Sequence, residues 1–229
     1  MCISSSKSIS RYTSRMASKK SPPYSRTHPA VLHLKRIDPI LHKKALPHFD
    51  EVLHTSSHRR NYSALFTSLA GSIVSQQLSV KAADTIWKRL EEKCNRKVTP
   101  EAISKLRITS MRSAGLSAAK CKTLKELSKA VLRGDIDFKK LQKMPEAEAI
   151  ASLSTVWGIG TWTAEMFLIF ALKREDIFSV GDLGLIRSME SIYGIPKDSP
   201  KQVYLDISTK WSPHRSVASR LLWRIRDAV

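Results

Sequence analysis

Acid is what this chain has least of. Its 229 residues carry 39 lysines and arginines against 20 aspartates and glutamates, a formal net charge of +19, and no acidic residue stands between Met1 and Arg36. A surplus of that size points to a polyanionic partner, because each phosphate that a basic side chain neutralises releases condensed counterions. Two blander readings stay open on charge alone: a basic protein that merely stays soluble, and one that binds a membrane surface. Cysteine is sparse as well. Cys2, Cys94 and Cys121 show neither metal-ligand spacing nor a disulfide framework, and read as reduced, intracellular thiols. The seven histidines show no metal spacing either; His33, His42, His48, His54 and His58 cluster only loosely and read as surface residues. Long apolar runs are missing. The longest, Met166 to Leu172, falls well short of the ~20 residues that span a bilayer, so it reads as a buried helix face and no membrane partner is expected.

What is present is helical. Met1 to Arg36 scatters Lys7, Arg11, Arg15, Lys19, Lys20, Arg26, Lys35 and Arg36 among serines. Such a composition cannot bury a core, so residues 1–37 are expected to form a disordered basic arm. Three roles compete for it: a tail that adds non-specific DNA affinity, a mitochondrial-type presequence, or a nuclear import signal. Met16 is an alternative start. A nuclear location is expected, with the mitochondrion as the second option. Residues 38–229 are expected to form the folded domain. Tyr62, Leu65, Phe66, Leu69, Ile73 and Val74 follow helical spacing, and Ala82, Ala83, Ile86, Trp87 and Leu90 repeat it behind a Ser79 cap. Thr99-Pro100-Glu101 opens another helix, and Ser117 starts a long one that ends at Gly134. Pro145-Glu146, Ser199-Pro200 and Ser212-Pro213 each open one more. The pattern predicts an all-α fold of about ten helices.

The most informative stretch is Leu153 to Arg187, which reads as helix, Gly-x-Gly hairpin, helix, and then Asp182 just before another helix. Gly158 and Gly160 flank Ile159 where the chain turns sharply, and glycine tolerates the positive φ that a hairpin can demand. Without a Cβ, the amides opening the next helix can approach an anion. Asp182 suits two tasks, capping the helix through Leu185 and Met189 or stabilising positive charge on a sugar.

Val156-Trp157-Gly158-Ile159-Gly160 with Asp182 resembles the helix-hairpin-helix DNA glycosylase superfamily. Two further segments match in order: Ile73 to Ala83, similar to that family's Gln-Gln-x-Ser segment, and Ser110 to Lys120, similar to its Leu-Arg-x-x-Gly-Leu-Ser-x-x-Lys segment. The similarity is closest to the alkylation-repair branch, the 3-methyladenine DNA glycosylases, and covers roughly His48 to Val229. It implies two helical lobes with the active site in the cleft between them. It also implies a monofunctional glycosylase that flips and excises alkylated bases of the 3-methyladenine, 7-methylguanine or ethenoadenine type by N-glycosidic hydrolysis. The enzyme would act as a monomer on damaged double-stranded DNA and pass an abasic site to an endonuclease.

Asp182 takes the family's catalytic position, with Asp176 as competitor. Trp162 stands where bifunctional relatives carry a Schiff-base lysine, which a tryptophan cannot replace; Trp162, Met166 and Trp211 are the candidate base pocket, with core packing as the alternative. Gln76, Gln77, Leu78 and Ser79 form the turn pushed into the duplex, Gln77 aligning with the wedge position. Gly158, Ile159, Gly160 and Thr161 grip phosphate, and the carbonyls of Ser154, Val156 and Ile159 hold a structural Na+ or K+. No catalytic cofactor is expected, and the absence of any cysteine after Cys121 excludes the iron–sulfur cluster of some relatives. Arg187 and Arg215 are either ion-pair partners or DNA contacts. Ser179 replaces a common proline and Ile186 a common arginine. These departures keep a second reading alive, a catalytically weak lesion- or structure-binding protein with a glycosylase fold.

Overall fold

A computed structural model describes residues 27–53 and 62–228, and every regular element among them is helical. In chain order the helices are α1 (Pro29–Ile37), α2 (Pro39–Ala45), α3 (Phe49–Leu53), α4 (Tyr62–Ser75), α5 (Val80–Lys93), α6 (Pro100–Lys105), α7 (Ile108–Ser113), α8 (Ala118–Arg133), α9 (Phe138–Leu141), α10 (Glu146–Ser154), α11 (Thr161–Phe170), α12 (Leu183–Tyr193), α13 (Lys201–Thr209) and α14 (Arg215–Asp227), with a 3-10 turn at Leu46–His48. The all-α expectation holds. No helix among the described residues is long and apolar enough to cross a membrane.

The helices fall into two compact units, one continuous over residues 62–172 and one split, joining 27–53 to 173–228. In the mid-chain unit, α4 and α11 are apolar on nearly all sides and form the centre. Phe138 of α9 packs against Phe167 of α11 at 5.7 Å and against Tyr62 at 5.3 Å. Around them α5 and α8 turn one apolar face inward, through Ala83, Trp87 and Leu90 and through Leu124, Leu127, Ala130 and Val131. The caps are those the residue types predict. Ser79 accepts from Ala82 N–H, Thr99 from Ala102 N–H and Ser117 from Lys120 N–H, and Gly134 ends α8 at φ +84°.

The split unit is organised by a residue the sequence reading passed over. Asp38 caps α2 by accepting from Leu41 N–H at 2.9 Å, and its other oxygen accepts from Tyr193 Oη at 2.6 Å and Trp211 Nε1 at 2.8 Å. One buried carboxyl thus ties the start of α2 to the end of α12 and to the turn between α13 and α14. Burial, reinforced by Asp38, pushes the Tyr193 hydroxyl far up its pKa scale, so it stays a donor. Around this hub α14 buries Val217, Ala218, Leu221, Leu222 and Trp223.

The basic arm ends sooner than its composition predicts. α1 begins at Pro29, capped by His28, and buries Ala30, Val31 and Leu34. Composition hides this because Lys35 and Arg36 occupy the last turn, where cations suit the helix dipole, while three apolar residues face inward. The rest of the predicted arm, residues 1–26, and His54 and His58 lie outside the described residues.

Candidate functional site

Asp182 belongs to the split unit. Its N–H donates to Ser179 O at 3.1 Å, closing the turn that delivers it to the start of α12. Its Oδ1 accepts two hydrogen bonds, from Leu185 N–H at 2.9 Å and from the indole Nε1 of Trp223 at 3.0 Å. A Cβ on Gly184 would collide with the Arg226 guanidinium, which lies over that glycine beside the carboxyl and is anchored to Asp227 at 2.9 Å. Two donors on one oxygen, a helix N-terminus and a guanidinium all turn positive poles toward Asp182. The residue is 4% exposed. Such a carboxyl is held in one orientation rather than left to rotate.

Asp176 is committed elsewhere. Its carboxyl takes Arg215 Nε at 2.8 Å and Ser212 Oγ at 2.7 Å. Burial alone would raise its pKa, but these hydrogen bonds hold it below the ordinary carboxylate value. Arg215 is therefore an ion-pair partner, and Arg187 likewise pairs with Glu190 at 2.7 Å.

The hairpin belongs to the mid-chain unit. Gly158 has φ +84°, and a Cβ there would strike Thr123 Oγ1 of α8, so only glycine fits. Gly160 differs from the sequence expectation, since its φ of −91° needs no left-handed freedom. It serves instead as the N-cap of α11 without a side chain over the helix end, and a Cβ there would meet nothing within 4 Å. The first amides of α11, which have no partner within the helix, thus keep an open approach. Ile159 is buried, so its contribution to any contact is through backbone.

The turn between α4 and α5 divides the two glutamines. Gln76 Nε2 donates to Thr163 Oγ1 of α11 at 3.0 Å, which ties the turn to the hairpin's second helix. Lys120 Nζ donates to Val74 O at 2.8 Å and Gln76 O at 2.7 Å, closing the carbonyl end of α4, and burial lowers its pKa. Gln77 is left exposed at φ +56°, a strained setting for a residue with a Cβ. Leu78 is half-buried, and Ser79 is spent as the cap of α5.

Comparison with known proteins places this arrangement. Residues 70–213 match the family model described as HhH-GPD superfamily base excision DNA repair protein. The chain belongs to the HhH-GPD superfamily. It is 34% identical over 162 residues to DNA-3-methyladenine glycosylase 1 of Schizosaccharomyces pombe, covering 69% of this chain and 71% of that protein. Among solved structures it is similar to a DNA-3-methyladenine glycosidase from Bacillus halodurans, with TM-score 0.75, 32% identity and coverage of 89% and 91% of the two chains. It is also similar to the Schizosaccharomyces pombe 3-methyladenine DNA glycosylase Mag1, solved in complex with abasic DNA, with TM-score 0.70, 29% identity and coverage of 86% and 96%.

Within this HhH-GPD chain the candidate residues divide between the units, Asp182 and Trp211 in one, the hairpin, Trp162, Met166 and the Gln76–Ser79 turn in the other. Two of the three pocket candidates need correction. Trp211 is 0% exposed, with its indole N–H on Asp38 and its ring edge-on to Phe178 at 5.7 Å, and Met166 is 1% exposed. Neither offers a face to a base; each is a packing anchor. Trp162 alone keeps accessible surface. Trp223, Arg226, Thr123 and Lys120 were not singled out from sequence. Lys120 lies inside a motif segment and carried a signal, whereas Trp223 sits on the apolar face of α14 like any core residue.

Proposed function

We propose that this chain is a monofunctional DNA glycosylase that hydrolyses the N-glycosidic bond of alkylated bases in duplex DNA. The observation that carries the reading is Asp182, a buried carboxyl oriented by Leu185 N–H and Trp223 in a chain 34% identical to a 3-methyladenine glycosylase. As the base leaves, positive charge builds on the sugar. The Asp182 carboxylate stabilises that charge electrostatically and orients or deprotonates the attacking water. A base already carrying positive charge from alkylation is a good leaving group, so no strong general acid is required. Trp162 has no amine for a Schiff base, so strand cleavage is not part of the reaction; its indole is available to stack on an electron-poor base.

The target base must leave the helix to reach Asp182, and the exposed side chain of Gln77 is the one we assign to fill the gap. The α11 amides behind Gly160 take a phosphate. A Na+ or K+ fits beside them. Ser154 ends α10, where carbonyls lack helical partners, and Val156 O accepts only the 3.0 Å bond from Ile159 N–H among its backbone partners, leaving a second lone pair for a cation.

The departures at Ser179 and Ile186 keep alive a second reading, a lesion-binding protein with little excision activity. Base release from methylated and ethenoadenine duplexes separates the two. Release by wild type that vanishes in Asp182→Asn, with strand breaks only after alkali, supports the glycosylase. Tight binding without release from any duplex supports the binder.

A further inference from the structure

The hairpin apex carries a feature that neither phosphate gripping nor catalysis uses. Trp157, one residue before Gly158, is 47% exposed, and the ammonium of Lys122 on α8 stands 4.2 Å from the centre of its ring. The next residue of α8, Thr123, is the one packed against Gly158. Two successive residues of α8 therefore brace the apex, one from beneath and one over an aromatic face. Between Leu132 and Leu183 Trp157 is the only large apolar side chain exposed among the described residues. Sites for protein partners are marked by contiguous exposed apolar patches, whereas the exposed residues that flank this indole along the chain are polar. Ser154, Thr155, Gly160 and Thr161, its neighbours along the chain, are exposed, and α8 shows no acid from Ala118 to Lys125 while presenting Lys122 to solvent.

We propose that Trp157 and Lys122 form a second hold on the DNA backbone, next to the phosphate held by the hairpin amides. The ammonium meets a neighbouring phosphate, and the free edge and face of the indole pack on the adjoining deoxyribose. The cation–π contact sets the lysine in place before DNA arrives, so less side-chain freedom is lost on binding. The proposal rests on the DNA-binding reading above and extends it to residues which that reading does not need.

The test uses the full chain and a fluorescein-labelled duplex carrying a stable abasic-site analogue, with anisotropy titrations over a range of salt. Trp157→Ala should weaken binding about tenfold, with Trp157→Phe recovering most of the loss. Lys122→Gln should lower the slope of log affinity against log salt by about one. Because the ring holds the lysine, Trp157→Ala should lower that slope too, which a merely structural role would not do. Both side chains are exposed, so the unfolding midpoints should stay at the wild-type value. Wild-type affinity and slope in Trp157→Ala and Lys122→Gln, with wild-type base release intact, overturns this proposal alone. Failure of the wild-type chain to bind the duplex overturns both it and the glycosylase reading.

Discussion

Asp182 and the Gly158 hairpin are built by opposite means. The carboxyl is fixed by side chains brought from far along the split unit, Trp223 lying on the last helix, and its neighbours crowd it so closely that Gly184 can carry no Cβ. The hairpin offers bare backbone, shaped by one left-handed glycine against one threonine and left open at Gly160. On the proposed reading, one region serves the reaction through a single oxygen atom and the other holds phosphate through backbone. Chemistry and grip then sit on separate structures, so a substitution should damage one and spare the other.

The largest break in that comparison is Asp182→Asn. It keeps the cap to Leu185 and the Trp223 contact while removing the charge, so base release in single-turnover assays should fall about a thousandfold with duplex affinity within a factor of two. Equal losses of affinity and rate would mean that Asp182 shapes the fold rather than the reaction. Gly158→Ala should do the reverse. Alanine is strained at φ +84° and strikes Thr123, so the apex must shift, and affinity should fall about thirtyfold, on the order of 2 kcal/mol of strain passed to the binding surface. The single-turnover rate at saturating protein should stay near wild type. Adding Thr123→Ala should restore part of the affinity, because the steric component is removed and the φ strain remains.

The two regions also differed in how far the sequence disclosed them. The hairpin was legible because its determinants are local: Pro145, the glycine pair and Thr161 all lie in one short stretch of chain. The caps at Ser79, Thr99 and Ser117 were legible for the same reason. Asp182 could be read as an N-cap, and only the resemblance added chemistry. Its Trp223 partner could not be read, since an indole on an apolar helix face looks like core until the fold shows what its N–H reaches. Asp38 was opaque for the same cause, with partners 155 and 173 residues away. Trp211 and Met166 were read as pocket candidates with core packing as the alternative, and their burial takes the alternative, because residue type and position do not disclose which side chains retain open surface.

Trp223→Phe sharpens the comparison within the split unit. It keeps an aromatic ring in a smaller side chain and deletes the indole donor on Asp182 Oδ1. If orientation of the carboxyl matters, kcat should fall about tenfold at unchanged KM, and stability should drop by about 2 kcal/mol for the lost hydrogen bond and the space left by the smaller ring. An unchanged kcat beside that stability loss would reduce Trp223 to a packing residue.

The smallest expected effect separates the units by pH. His42, His48 and His214 all lie in the split unit, and each has a pKa below the ordinary 6.5, chiefly because burial disfavours the charged ring, with Lys35 and Arg224 adding to it for the first two and Glu175 opposing it for the third. Residues 62–172 contain no histidine. A native pKa below the unfolded value means that, as pH falls through 6.5, the unfolded chain takes up protons first, and stability is lost until the native rings also protonate. Above that window the three rings are neutral in both states and contribute nothing. In the mid-chain unit the lowered pKa of Lys120 and Lys125 acts only on the alkaline side, and that of Glu101 only below its ordinary 4.5. Moving from about pH 7 to pH 5.5 should therefore speed the intrinsic-rate-corrected amide exchange of α2, α3 and α14 while leaving α4 and α11 unchanged. Exchange that rises equally in both sets would show that the units unfold as one, and that acid sensitivity in one is shared by the whole fold.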